Sequence, residues 1–202
     1  MALPPLDIAP LHAFWDRQPG QQQGDPESAP IYQAVGNALT VWELAEGKFA
    51  SLFGRLLAAN MYSAERVYGT FGNIGAKKDA LAAAAEITFH QKKVGKAFVD
   101  YFDLLLKHFV NATPRRNDIA HAIVTSIQIE GTPRGHFLVP PVHATKKVDS
   151  RYAIADRADP LNIFGAAYRY TSADITAWTS KFSQLSWWVG NFEINYMFSY
   201  QQ

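Results

Sequence analysis

Three side chains that suit chemistry on a phosphate lie close together in the chain: Arg116, Asn117 and His121. Asn117 and His121 are four residues apart, so they share one face if the stretch is helical. Thr113 and Pro114 predict that a helix starts here, because threonine caps helices and proline suits the first helical position. The start of a helix presents unpaired N–H groups that favour anions. The sequence therefore predicts a phosphate-handling site at a helix N-terminus.

These residue types suit the cleavage of RNA by its own 2′-hydroxyl group. Histidine can take the 2′ proton near neutral pH, and arginine stabilises the charge that develops on the phosphate. The reaction requires neither a metal nor another cofactor. Because His121 supplies a single proton-transfer group, a two-fold dimer would bring a second histidine to the site.

The run from Arg116 to His121, RNDIAH, resembles the motif of the HEPN superfamily. That motif is an arginine, four to six further residues and a histidine, often with a polar residue directly after the arginine. The resemblance implies a helical bundle with the motif at the start of a late helix. By the same resemblance Arg116 would bind the phosphate, Asn117 would be the polar motif residue, and His121 would be the catalytic histidine.

Many proteins with this motif are metal-independent endoribonucleases of toxin–antitoxin, antiviral or RNA-processing systems. They act as dimers with a composite site at the interface. The resemblance therefore implies RNA as the substrate and a second copy of the chain as a partner. For a toxin–antitoxin member it also implies a cognate antitoxin.

Four further basic residues are candidates for binding the RNA substrate. Arg115 directly precedes the motif, and Lys92, Lys93 and Lys96 form a basic patch earlier in the chain. Taken alone, such a patch is more typical of an ordinary solvated helix face. It gains a role in RNA binding if the fold brings it close to Arg115 and Arg116.

Each motif residue also has a structural interpretation. Arg116 can form a salt bridge with Asp118 or with a carboxylate of the first long helix, and His121 can be a half-buried, hydrogen-bonded histidine. The alternative function is then a non-catalytic helical interaction protein or a nucleotide-binding module. Geometry distinguishes the two. Catalysis requires Arg116 and His121 of two subunits to face one another across an open, basic cleft, whereas a structural role pairs Arg116 with buried carboxylates and seals His121 from solvent.

Composition limits the class of protein. A length of 202 residues with 48% hydrophobic residues favours a single packed domain, and a net charge of +1 excludes a general polycation. The absence of cysteine excludes disulfides, thiolate catalysis and cysteine-rich zinc sites. The N-terminus does not resemble a signal peptide, and no apolar run approaches the ~20 residues of a spanning helix. We therefore expect a cytoplasmic protein that does not enter a membrane.

The fold class predicted from the sequence is mainly α. Residues 1–30 are rich in proline and glutamine and predict an N-terminal arm, with one short helix at about 11–17. Residues 31–202 predict a single HEPN-like bundle of about five helices. A small antiparallel β-hairpin or meander, at about 127–170, is predicted as an insertion before the C-terminal helix.

Apolar residues repeat at intervals of three and four along most of the chain, which is typical of amphipathic helices. The predicted helices cover 31–59, a stretch from a Ser63 cap, 76–89, 91–110, a stretch from 113, and a last helix capped by Thr171 or Ser172. The segment GTFGNIG predicts a bend, and GTPRG predicts a hairpin turn. Short strands are predicted near 152–154 and 168–170.

Overall fold

The computed structural model describes residues 11–141, 161 and 168–200. The helices in this part of the chain are α1 (Leu11–Trp15), α2 (Ala29–Leu56), α3 (Met61–Gly69), α4 (Ile74–Gln91), α5 (Lys96–Ala120) and α6 (Ser172–Tyr200). The two strands are β1 (Ile123–Ile129) and β2 (Thr132–Val139), paired antiparallel. The predicted fold class, mainly helical with a small antiparallel hairpin before the last helix, is confirmed. The predicted strand near 152–154 lies outside the described residues.

The chain divides into two compact units. The first consists of the described residues within 1–15, 41–114 and 181–202, and the second of those within 16–40 and 115–180. Helices α2, α5 and α6 each contribute residues to both units. None of the described helices combines the length and the apolar character that crossing a bilayer requires.

Aromatic rings on the inward faces of the long helices form the core of the first unit. Phe109 of α5 stacks on Phe49 and on Trp42 of α2, with ring centroids 4.1 and 5.8 Å apart. Phe192 of α6 stacks on Tyr101 of α5 at 5.7 Å. These contacts show that the apolar repeats of α2 and α6 form their packing faces. Burial of each such side chain contributes about 1.5–3 kcal/mol.

Helix α1, in the segment predicted as an N-terminal arm, docks into the same core. Trp15 is buried, and its indole Nε1 donates a hydrogen bond of 2.9 Å to Nδ1 of His108. Phe14 lies 5.5 Å from the ring of Trp188, and its carbonyl oxygen accepts a hydrogen bond from Lys181. Because Nδ1 of His108 accepts, the proton of its neutral imidazole resides on Nε2.

Asparagines, not Ser63, cap the two middle helices. The side chain of Asn60 accepts a hydrogen bond from the backbone N–H of Ser63, and Asn73 accepts one from Ala76 in the same way. The predicted Ser63 cap is therefore wrong, and α3 begins before it. The bend between α3 and α4 falls within the predicted glycine-containing segment.

Helix α5 contradicts the predicted helix start at Thr113. It runs unbroken through Pro114 to Ala120, so the prediction of one helix ending near Val110 and a second starting at Thr113 is wrong. Thr113 does not cap a helix, since its Oγ1 donates to the carbonyl oxygen of Phe109 one turn earlier, at 2.9 Å.

Packing on both sides of Pro114 explains why the helix continues. Phe109, Ala112 and Ile119 are all buried, and burial of a helix face outweighs local propensity. Proline removes the hydrogen bond to the carbonyl of Val110. Val110 and Pro114 are both on the exposed side, so water can bind the carbonyl oxygen that proline leaves without a partner.

The hairpin turns at Glu130 and Gly131, which have φ angles of +50° and +78°. Two central residues with positive φ are typical of a type I′ turn, which matches the twist of the strands. Most of the predicted turn sequence GTPRG therefore belongs to β2. Strand β1 begins at Ile123, earlier than the predicted hairpin.

The other edge of β2 is partly covered by backbone from distant parts of the chain. His136 exchanges hydrogen bonds of 2.7 and 3.0 Å with Asp25, and Leu138 exchanges bonds of 2.8 and 2.9 Å with Tyr170. A short strand is expected near 168–170. Of the described residues there, only Tyr170 pairs with the sheet, through an isolated antiparallel bridge to Leu138. These bonds attach the segment before α2 and the segment before α6 to the hairpin.

We expect Pro114→Ala to raise the free energy of unfolding by about 2 kcal/mol, because it restores the hydrogen bond to Val110 and removes the ring from the helix interior. Chemical denaturation would measure the change. Pro30→Ala is the matched control, since Pro30 lies in the first turn of α2, where a missing N–H breaks no helical bond. A loss of stability in Pro114→Ala would instead favour a helix that starts at this proline.

Acid should weaken the attachment of α1. Burial lowers the pKa of His108 from 6.5 to about 4, so below pH 6.5 the unfolded chain binds the proton more readily. The free energy of unfolding should fall between pH 6.5 and 4, by on the order of 3 kcal/mol from this residue. His108→Gln should show a smaller pH slope in that window, whereas His90→Gln, at an exposed position, should retain the wild-type slope. Equal slopes in all three proteins would contradict the assignment.

Candidate functional site

The motif lies at the C-terminal end of α5, not at a helix start. Arg116 and Asn117 belong to its last two turns, and His121 directly follows its last residue. A helix C-terminus presents unpaired carbonyl groups and the negative end of the macrodipole. The prediction of an anion site made from helix N–H groups is therefore wrong, and any phosphate contact must come from side chains.

The three motif side chains occupy adjoining positions at this end. Arg116 Nη1 donates a hydrogen bond of 3.3 Å to Oδ1 of Asn117. The backbone N–H of His121 donates to the carbonyl oxygen of Asn117 at 3.1 Å, so the helical turn between them is intact. Asn117 and His121 are exposed and Arg116 is half-buried. His121 is therefore not sealed from solvent in the way that the structural interpretation requires.

The residue between them, Asp118, points inward and is the centre of an ion-pair cluster. Its carboxylate accepts two hydrogen bonds from the guanidinium of Arg17, at 3.0 and 2.8 Å, and one from the hydroxyl of Tyr170, at 3.0 Å. Arg115 Nη1 lies 3.1 Å from Oδ2. Asp118 therefore pairs with Arg17 and Arg115, and the predicted salt bridge between it and Arg116 is not observed.

The guanidinium of Arg17 lies over an aromatic ring. Its central carbon lies 4.9 Å from the ring centroid of Tyr168, which stacks on Tyr170 at 4.8 Å. The Tyr168 hydroxyl donates to the carbonyl oxygen of Asp118 at 2.7 Å. The ion pair, the cation–π contact and the hydrogen bonds all involve the last turn of α5. Together they fix the rotation of this turn about the helix axis.

Arg115 belongs to this cluster as well. Its guanidinium lies 5.9 Å from the ring of Trp178, and its side chain is 14% exposed. The approach of Nη1 to Asp118 is an ion pair without hydrogen-bond geometry, and the buried Nε and Nη1 atoms have no hydrogen-bond partner among the residues that the structure describes. The role of Arg115 in substrate binding stays a prediction, and the structure places its charge against Asp118 and Trp178.

Burial and charge set the protonation of the cluster. Burial raises the pKa of Tyr170 to about 12, with the charge of Asp118 acting in the same direction. Burial lowers the pKa of Arg17, but the hydrogen bond and charge of Asp118 outweigh this effect, so the net shift is upward. At neutral pH Arg17 is therefore charged and the Tyr170 hydroxyl keeps its proton.

The three lysines predicted to bind substrate belong to the first unit, whereas the motif belongs to the second. Lys92 caps the end of α4, and Lys93 follows it with a φ angle of +53°. Lys96 begins α5 and pairs with Asp100, with Nζ 2.6 and 2.7 Å from the two carboxylate oxygens. All three lysines are exposed. Their role in RNA binding remains a prediction.

The sequence pattern does not predict Arg17, Tyr168 and Tyr170 as neighbours of the motif. Arg17 and Asp118 are 101 residues apart in the chain, and no periodic pattern connects them. The local sequence offers one signal of such a partner, which is a charged residue inside an apolar helix face. A carboxylate at a buried position requires a cation. Asp118 directly precedes the buried Ile119. Its position in the sequence therefore predicts a cationic partner for Asp118 but does not say which residue supplies it.

Asp118→Asn should lower the free energy of unfolding by about 3 kcal/mol, because it leaves two partly buried guanidiniums without their counter-charge. Asp100→Asn, which removes an exposed i,i+4 pair with Lys96, should change it by less than about 0.5 kcal/mol. Denaturation of both variants beside the wild type would measure the difference. Similar small effects for the two substitutions would show that Asp118 does not organise this unit.

Comparison with known proteins assigns no family. No protein-family model, curated protein or solved structure matches this chain. The HEPN resemblance therefore depends on the six residues from Arg116 to His121 and on the helical order of the chain.

Proposed function

We propose that this chain is a HEPN-like, metal-independent endoribonuclease that acts through Arg116, Asn117 and His121. The observation that carries the proposal is the exposed imidazole of His121 one helical turn from Asn117, which in turn contacts Arg116. A general base must reach its substrate, and the exposure of His121 supports this role.

Each residue has a defined role in the proposed reaction. His121 takes the proton from the 2′-hydroxyl, and the 2′ oxygen then attacks the adjacent phosphorus. The bond from phosphorus to the 5′ oxygen breaks, and a 2′,3′-cyclic phosphate and a 5′-hydroxyl are formed. Arg116 stabilises the negative charge on the phosphorane, and Asn117 orients the arginine or the substrate. The leaving oxygen takes its proton from His121 of a second copy.

The pairing of Asp118 supports this assignment electrostatically. A free carboxylate beside Arg116 would repel the phosphate and compete for the guanidinium. Arg17 and Arg115 neutralise Asp118 from the inside, so Asp118 adds little net negative charge beside the motif.

The proposal is tested by incubating purified protein with mixed RNA in excess EDTA, beside His121→Ala and Arg116→Ala. We expect the wild type to cleave RNA despite chelation, and His121→Ala to be slower by about 10²–10⁴-fold, the usual contribution of a general base. His90→Ala is the matched control, because His90 is an exposed histidine outside the motif and its loss should leave cleavage unchanged.

The ends of the product identify the chemistry. Cyclic 2′,3′-phosphate ends would support attack by the 2′-hydroxyl, whereas 5′-phosphate ends would contradict it. If folded wild type leaves RNA intact, or if His121→Ala cleaves as fast as wild type, the proposed catalysis is wrong. The non-catalytic interaction or nucleotide-binding alternative would then explain the motif as a surface feature above the Asp118 cluster.

A further inference from the structure

A cavity of about 460 Å³ lies in the first unit, where the end of α2, the start of α3 and the end of α4 meet. Its volume is within the usual range of small-molecule sites. Arg55 and Lys92 contribute two cations to the lining, and no acidic residue of the described part of the chain lines it. This charge favours an anion as the occupant.

Most of the remaining lining is apolar. Leu56, Ala59 and Met61 contribute hydrocarbon and thioether surface. A Cβ at Gly54 would lie 3.2 Å from the sulfur atom of Met61, so the glycine allows α3 to pack closely against α2 and to form one wall. Apolar walls with a few charged groups are typical of sites that hold a small organic molecule and fix its orientation at a polar end.

Helices α2 and α4 both end at this cavity, and unpaired carbonyl groups at a helix end would repel an anion. The carbonyl oxygens of the last turn of α2 are hydrogen-bonded. They accept bonds from the N–H groups of Ala58 and Ala59, both at 3.1 Å, and from the hydroxyl of Thr88 at 2.7 Å. Ala58 has a φ angle of +48° in this cap, where glycine is the usual residue. These bonds reduce the repulsion that the end of α2 would exert on an anion.

Glu193 of α6 sets the position of Arg55 and the net charge beside the cavity. Arg55 Nε donates a hydrogen bond of 3.2 Å to Oε1 of Glu193, and the two side chains are 38% and 10% exposed. Ser51 donates to the same oxygen at 2.8 Å. Two cations and one carboxylate leave a net charge of +1. This charge suits a ligand with one negative charge better than the charge of about −2 on a phosphomonoester.

We propose that this cavity binds a small organic acid. The carboxylate contacts Arg55, whose planar fork matches carboxylate geometry, and Lys92 supplies the second positive charge. The apolar body of the acid packs against Leu56, Ala59 and Met61. The proposal does not rest on the ribonuclease function, because the lining belongs to the first unit and the motif to the second. It gives Lys92 a role distinct from the predicted binding of RNA.

Octanoate is the probe that tests the proposal, because it joins one carboxylate to an apolar chain. We expect titration of the isotope-labelled whole chain to give saturable shifts in the backbone amide NMR signals of residues 54–61 and 88–92. A ligand of this size should bind in the millimolar range. Octanamide has the same chain without the charge, and acetate has the charge without the chain. Both should bind several-fold more weakly than octanoate.

Two variants separate the charge from the cavity. Lys92→Gln removes a cation at an exposed position and should raise the dissociation constant of octanoate about threefold to fivefold. Lys93→Gln is the matched control, because Lys93 is the exposed lysine next in the chain and lies outside the lining. Ala59→Leu fills the cavity without a change of charge and should weaken binding on the order of tenfold. Ala83→Leu, at an exposed position of α4, is its control, and both controls should bind as the wild type does.

Octanoate shifts confined to other parts of the chain would overturn the proposal, as would equal dissociation constants in the wild type, Lys92→Gln and Ala59→Leu. Inorganic phosphate that binds here more tightly than octanoate would overturn the assignment to an organic acid. A short RNA that shifts these signals where octanoate does not would assign Lys92 to RNA binding instead. His121→Ala should bind octanoate like the wild type whether or not it cleaves RNA, so the outcomes for the two proposed functions are distinguishable.

Discussion

The second unit depends on the burial of one carboxylate. Removing Asp118 from water costs several kcal/mol unless cations and hydrogen bonds compensate for the lost hydration. Arg17 supplies two hydrogen bonds from 101 residues away, and Tyr170 supplies one from 52 residues away. These contacts hold the last turn of α5 at one rotation. Since neighbouring helix positions differ by about 100°, fixing Asp118 inward turns Asn117 outward.

The same contacts connect the cluster to the hairpin. The hydroxyl of Tyr170 donates a hydrogen bond to the carboxylate of Asp118, and its backbone exchanges hydrogen bonds with Leu138 of β2. The next residue, Thr171, exchanges hydrogen bonds with Asp174 and caps α6. A single short segment thus joins the end of α5, the sheet and the start of α6, which explains why three elements far apart in sequence meet at the candidate site.

Periodicity made the long helices predictable. The seam residues of α2 and α6 repeat at intervals of three and four, and a pattern of this kind is local, so it is visible without tertiary information. The helix ends were harder to predict, because several residue types can cap and packing selects among them. Pro114 is the clearest case: its local preference is for a helix start, but Phe109 and Ile119 are buried on either side of it and the helix continues.

Local sequence is enough to predict the helical class, the packing faces of α2 and α6, the hairpin before the last helix, and the adjacency of Arg116, Asn117 and His121. These features follow from the order of residues within a few turns. Which end of a helix carries the motif, and which arginines pair with Asp118, depend instead on long-range packing. Both depend on burial and on ion pairs between residues far apart in the chain. A buried charge is destabilising unless it is paired, and local sequence does not identify the distant residues that pair with it.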